Sequence, residues 1–185
     1  MTREFVPYHS NVRVPITAIL ARPPYHVNAV FGPVPGLILA FSSIGHDPAQ
    51  IPSPEFVGAA TAGGRSALFI ADHSRSWTNA RGFADLLHEA VEIARSQAAP
   101  GPLLTLGQSM GGFAALVAAE HLAPDAVLAF GPQSGIGAAA PPDEARWAGW
   151  TAALAGAPRL RAPLPPGPRI TLMHGLIDDR AQALA

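Results

Sequence analysis

Gly107, Ser109 and Gly111 stand two residues apart in the stretch TLGQSMGGF (105–113). A serine between glycines at that spacing suits a nucleophile at the tip of a sharp strand-to-helix turn. Side chains two before and two after would collide there. A serine hydroxyl is a weak nucleophile, so it needs a histidine to take its proton. That histidine needs a carboxylate to fix its tautomer. A helix beginning at the serine would aim its free N–H groups and dipole at the charge growing on an attacked carbonyl oxygen. The Met110 N–H is then the natural first oxyanion donor.

The flanking residues predict the elements such a turn requires. LLTLG (103–107) reads as a strand and GGFAALVAAEHL (111–122) as a helix, with no gap around the motif. LILAF (37–41) and SALFIAD (66–72) are short apolar runs, as expected of strands buried on both faces of a parallel sheet, and AVLAF (126–130) and RITLMHG (169–175) read as two further strands. From Ala80 to Ala99, Phe83, Leu86, Leu87, Ala90, Val91 and Ala94 recur at helical spacing. SPEFVGAATAGG (53–64) reads as a helix capped by Ser53, with Pro54 at its first position and Gly63 and Gly64 at its end. VRVPITAILA (12–21), interrupted by Pro15, fits an edge strand or hairpin arm, and RPPYHVNAVFGPVPG (22–36) reads as a loop. Strands alternating with helices predict one α/β domain over residues 1–185, a three-layer α/β/α sandwich on a mostly parallel sheet. Residues 131–168 break the rhythm with eight prolines and a short helix around DEARWAGWTAALAG. They read as a lid-like excursion or a surface connection.

Through GQSMGG and the elements from LILAF to HGLIDD, the chain resembles the α/β-hydrolase superfamily. ADHSRSWTNARG, LAFGPQSG and DEARW also resemble a bacterial hydrolase-like group. The resemblance implies an eight-stranded, mostly parallel sheet and a Ser–His–Asp triad. It implies a second oxyanion donor in SSIGHD after LILAF: the Ser43 N–H, with Ser42 its neighbour. SSIGHD lacks the His-Gly start common in the superfamily. In HGLIDD the resemblance implies Asp178 as the acid, with Asp179 adjacent.

The histidine has no such match, because its expected position lies beyond residue 185. Seven residues follow Asp178, fewer than the dozen or so that a parallel crossover takes. Either the last helix and strand of the full fold are missing, or another histidine serves. His46 in the oxyanion loop, His73 after LFIAD and His174 at the end of ITLM each follow a strand. His88 and His121 read as helix-surface residues, and His9 and His26 lie in early loops. No His pair has metal-ligand spacing. GIGAAA (135–140) mimics a dinucleotide loop, but Pro141 and Pro142 forbid the helix it requires. Ser134 in GPQSG reads as part of a turn. Trp147 and Trp150, three apart, read as core or lid packing, and Trp77 as a further candidate pocket residue.

Composition narrows the class. Hydrophobic residues make up 49% and charged ones 14%, with a formal charge of −1, so neither nucleic acid nor a membrane is an expected partner. The chain has no Cys, which excludes thiol catalysis and Cys-ligated zinc. The first residues do not read as a signal peptide, and no run approaches a membrane span, so a cytoplasmic location is expected. The function expected is a serine-dependent acyl hydrolase of esterase or thioesterase type. It would form an acyl-enzyme on Ser109 with a small-molecule ester or thioester and need no cofactor or metal. An acyltransferase would share these residues. The alternative is a non-catalytic or truncated hydrolase-fold protein used in binding or assembly.

Overall fold

The computed structural model describes residues 15–184. Seven strands among them form one sheet: β1 (Thr17–Arg22), β2 (Tyr25–Val30), β3 (Val34–Phe41), β4 (Arg65–Asp72), β5 (Leu103–Gln108), β6 (Ala126–Phe130) and β7 (Arg169–Met173). Their spatial order is β1-β2-β4-β3-β5-β6-β7. β3 pairs in parallel with β4 and β5, β5 with β6, and β6 with β7; β2 is antiparallel to both its neighbours. The sheet is thus mostly parallel, as expected, with seven described strands where the resemblance implied eight.

One strand corrects the sequence reading. Residues 22–36 are not a loop, because β2 lies inside them and β3 begins at Val34. Arg22 pairs with Tyr25, so Pro23 and Pro24 form the tight turn of a hairpin. Tyr25, Val27 and Ala29 alternate into the core at 1% exposure each. The prolines punctuate the strand pair without entering it.

The strands sort their side chains by period two. Leu37, Leu39 and Phe41 of β3 and Leu68 and Ile70 of β4 face the main core, with α2 (Phe83–Arg95) and α3 (Met110–Leu122). Ile38 and Ala40, with Ala67 and Phe69, face the other side, where they meet Val57 and Ala60 of α1 (Val57–Ala60). Elements therefore cover both faces. The buried stripe of α2 consists of the six residues its spacing marked out. α1 is much shorter than expected and begins after Phe56, not at Ser53, whose carbonyl accepts the Ser42 hydroxyl instead.

Residues 131–168 hold a 3-10 turn (Gly137–Ala139), α4 (Ala148–Thr151), a second 3-10 turn (Ala152–Leu154) and a bridge between Gly135 and Arg161. α5 (Arg180–Ala183) follows β7. β7 is an edge strand, and Leu172 and Met173 on it are exposed. Among the described residues no helix is long and apolar enough to cross a membrane.

Candidate active site

Ser109 is the hinge between β5 and α3, at φ 54° and ψ −120°. A non-glycine residue with that φ is strained and stays so only where its surroundings hold it. Its N–H donates to the Phe130 carbonyl at 2.8 Å, tying the turn to β6. The two glycines then have visible reasons. A Cβ on Gly107 would stand 2.1 Å from the Gly111 carbonyl oxygen, inside the turn itself. A Cβ on Gly111 would stand 2.2 Å from the Phe41 carbonyl oxygen, so this second glycine lets the helix start approach the end of β3.

That approach brings α3 beside the residues that follow β3. Ser42 is fully engaged: its N–H donates to Ile70 O at 3.0 Å and its hydroxyl to Ser53 O at 2.9 Å. The N–H groups of Ser43 and Met110 make no hydrogen bond among the described residues. Ser43 and Ser109 line one cavity of about 600 Å³ with His46, Glu55 and Trp147. The Ser43 hydroxyl donates to the Glu55 carboxylate.

The loop carrying His46 is held from below by a buried arginine. Arg75 Nε donates to Ile44 O (3.1 Å), Nη1 to Pro48 O (3.2 Å) and His73 O (2.6 Å), and Nη2 to Asp47 O (2.9 Å) and Gln50 O (2.7 Å). All the hydrogens of the guanidinium fork are thereby used on backbone carbonyls. Burial pulls its pKa below the ordinary value, opposed by the carboxylates of Asp72 and Asp47.

The histidines separate clearly. His174 lines a second cavity of about 500 Å³, together with Ser109, Arg146, Asp178 and Asp179. Its Nδ1 is buried with no partner among the described residues. His46 lies in the cavity on the Ser43 side. His73 borders neither cavity, and its ring meets His26 edge-on at 6.4 Å between centroids. His9 lies outside the described residues. No histidine among the described residues hydrogen-bonds Ser109. Of the two aspartates, Asp178 is exposed. Asp179 accepts the Gly175 N–H at 3.1 Å and an Arg146 N–H at 3.2 Å.

Sequence reasoning passed over the residue that does touch the serine. Gln133, in the GPQSG stretch after β6, donates from Nε2 to Ser109 Oγ at 2.8 Å. Its Oε1 accepts the Trp77 indole N–H at 3.0 Å. Next to it, the Gln182 side chain of α5 accepts the Ser134 N–H (2.7 Å) and hydroxyl (2.8 Å). Trp77 belongs to the same strained segment as Arg75: φ is 51° at Arg75, 48° at Trp77 and 67° at Thr78. Asp72 pins this segment by accepting from the N–H and hydroxyl groups of Ser74 and Ser76. Asn79 ties it to the excursion through Arg159 O and N–H, each at 2.9 Å. The signal available beforehand was the density of Ser, Asn and Asp in ADHSRSWTNARG, residues that hydrogen-bond backbone in tight turns.

The chain superposes on MPT51 (FbpC1) of Mycobacterium tuberculosis with a TM-score of 0.51 at 18% identity, over 78% of this chain and 59% of that one. The chain has an α/β-hydrolase fold. It is also similar to an α/β serine hydrolase without lid from Xanthomonas campestris (TM-score 0.48, 17% identity, 88% of this chain and 85% of that one). The same holds for a capsule O-acetyltransferase of Neisseria meningitidis serogroup A (TM-score 0.49, 16% identity, 69% of this chain and 55% of that one). At these identities the likeness concerns the fold. The chain spans 55% of the acetyltransferase and 59% of MPT51. No protein-family model matches it, and no curated protein matches it by sequence.

On this hydrolase fold, the site residues lie where parallel strands end: Ser43 after β3, Arg75 and Trp77 after β4, Ser109 after β5, Gln133 after β6, and His174 to Asp179 after β7. That is the edge where open α/β sheets bind ligands. Trp147 of the excursion walls both Ser109 cavities and a third of about 320 Å³, lined by Ile136, Ala148, Leu154 and Leu160 among others. Arg146, beside it, joins Glu144 of the excursion to Asp179.

Proposed function

We propose that the chain is a serine-dependent acyl hydrolase of esterase or thioesterase type, acting on a small-molecule ester or thioester. One observation carries the reading. Ser109 is held at a strained φ of 54° between two cavities, followed directly by Met110 and sharing one cavity with Ser43, whose N–H groups are both unbonded among the described residues. Strain of that kind has a cost, and it persists where it serves to present a side chain.

In the first step Ser109 Oγ bonds to the acyl carbon and its proton passes to the base. The carbonyl π pair moves onto oxygen, where Met110 and Ser43 N–H groups receive the charge. The carbonyl re-forms, the leaving alcohol or thiol takes the proton from the base, and an ester on Ser109 remains. Water then attacks this ester and gives its proton to the base. The acid departs and Ser109 recovers its hydrogen. Within the described residues His174 is the histidine that shares one cavity with Ser109 and both aspartates, which supports it as the base over His46 and His73. Asp178 and Asp179 are the candidate orienting acids. If an alcohol replaces water as acceptor, the same site is an acyltransferase.

A fluorophosphonate probe tests the reading. Labelling of wild type and none of Ser109→Ala supports it; a folded wild type that stays unlabelled overturns it. The second reading, a hydrolase fold used for binding alone, is favoured by the lack of a histidine bonded to Ser109 among the described residues. It predicts that unlabelled outcome.

A further inference from the structure

The hydrogen bond between Gln133 and Ser109 has a direction fixed by a third residue. The Trp77 indole nitrogen carries a hydrogen and can only donate. The Gln133 atom facing it at 3.0 Å is therefore the amide oxygen. That places the amide nitrogen 2.8 Å from Ser109 Oγ, and an amide nitrogen also only donates. Ser109 Oγ is thus the acceptor, and its own single hydrogen points elsewhere. Gln133 is 2% exposed and Trp77 fully buried, so the amide is held between two protein partners.

We infer that Gln133 is a further catalytic residue: its amide N–H holds the Ser109 oxygen as an acceptor, directs the hydroxyl hydrogen toward the base, and stabilises negative charge on Oγ. The inference rests on the reading of Ser109 as the nucleophile. Gln133 transfers no proton at any step. When the Oγ–H bond breaks, its electron pair stays on oxygen as the bond to the acyl carbon forms, and the proton goes to the base. When the acyl-enzyme hydrolyses, the Oγ–C bond breaks with its electron pair leaving on oxygen. The protonated base returns a proton there. Donation from Gln133 favours the charged oxygen at both points. Trp77 is the positioning residue that keeps the amide from turning over.

Three variants separate polarity from packing. Gln133→Met keeps the length and removes both bonds. Gln133→Glu keeps the acceptor for Trp77 but, when ionised, offers Ser109 a second acceptor that competes for the hydroxyl hydrogen. Trp77→Phe keeps an aromatic ring in the core, removes the indole N–H and frees the amide to rotate. The rate of fluorophosphonate labelling is measured from about pH 6 to about pH 9 against wild type, with thermal melting as the check on folding. Gln133→Met is expected to label about 10²-fold more slowly, the effect of losing one preorganised donor. Trp77→Phe is expected to lose about 5-fold, the worth of one ordinary hydrogen bond. Gln133→Glu, a carboxylate over this pH range, replaces the donor by an acceptor and is expected to label at least as slowly as Gln133→Met. Folded Gln133 variants labelling within about twofold of wild type at every pH would overturn the inference and leave the hydrolase reading standing. If Gln133→Met does not fold, labelling of Gln133→Glu within about twofold of wild type together with a wild-type rate for Trp77→Phe overturns it equally. A folded wild type that does not label removes the nucleophile reading, and this inference falls with it.

Discussion

Gly111 lies so close to the end of β3 that a Cβ on it would stand 2.2 Å from the Phe41 carbonyl oxygen. The obstacle is backbone in a central strand, which cannot swing aside. Gly111→Ala is expected to destabilise the fold by about 3 kcal/mol, as overpacking against a rigid wall does. A control is available in α1, where a Cβ on Gly58 meets nothing within 4 Å. Gly58→Ala should be neutral or gain up to about 1 kcal/mol. Urea unfolding midpoints of the two variants check the contrast.

Arg75 uses its whole fork on carbonyls of the 44–50 loop and His73. Lysine has three donors on one atom and cannot span that set. In Arg75→Lys the amides of residues 44–50 should exchange hydrogen about tenfold faster or more, while those of α3 keep their protection. Unchanged exchange in the loop would remove Arg75 as its support.

Two histidines face Ser109 across different cavities. His174→Ala should slow fluorophosphonate labelling by about 10³-fold, the scale of a lost general base, and His46→Ala by no more than a few-fold. The opposite order would move the base to the Ser43 side. Wild-type rates in both variants would show that neither His174 nor His46 is the proton acceptor.

Glu144 has a side chain 3% exposed and hydrogen bonds from Arg146 at 3.0 and 3.1 Å. Those bonds hold its carboxyl below its ordinary range, outweighing burial, which pushes it upward. A carboxyl depressed in the folded state adds stability above its unfolded pKa and loses it as pH falls through the folded value. The melting temperature of wild type should therefore exceed that of Glu144→Gln at neutral pH. The gap should close as pH drops below about 4. Because Arg146 is more than one-third exposed, solvent screens the pair and keeps the gap to a few degrees at most. A gap constant down to acid pH would show that the carboxylate charge is not what matters.

The parallel strands were legible because each is a short apolar run, and α2 because its buried stripe repeats at helical spacing. β2 was obscured by its flanks: Pro23, Pro24, Gly32, Pro33 and Pro35 bracket a run whose alternation, Tyr25, Val27, Ala29, is only six residues long. Ser53 looked like a helix cap, but its carbonyl is spent on Ser42, a partner eleven residues away. The elbow was legible because its requirement is local: a strand, a turn without side chains and a helix. Gln133 was not, because its identity matters through Trp77, 56 positions away, and Ser109, 24 positions away. A local pattern can announce a nucleophile, whereas the groups that orient it meet only once the sheet has been assembled.

Trp147 is a party wall between three chambers, two of them opening on Ser109 and the third inside the excursion. Traits that share one side chain cannot drift independently. Any substitution there resizes all three spaces at once. Change in what the site accepts is therefore yoked to the packing of the excursion, and an altered preference arising at this position would carry a structural debt to be settled at Ile136, Leu154 or Leu160.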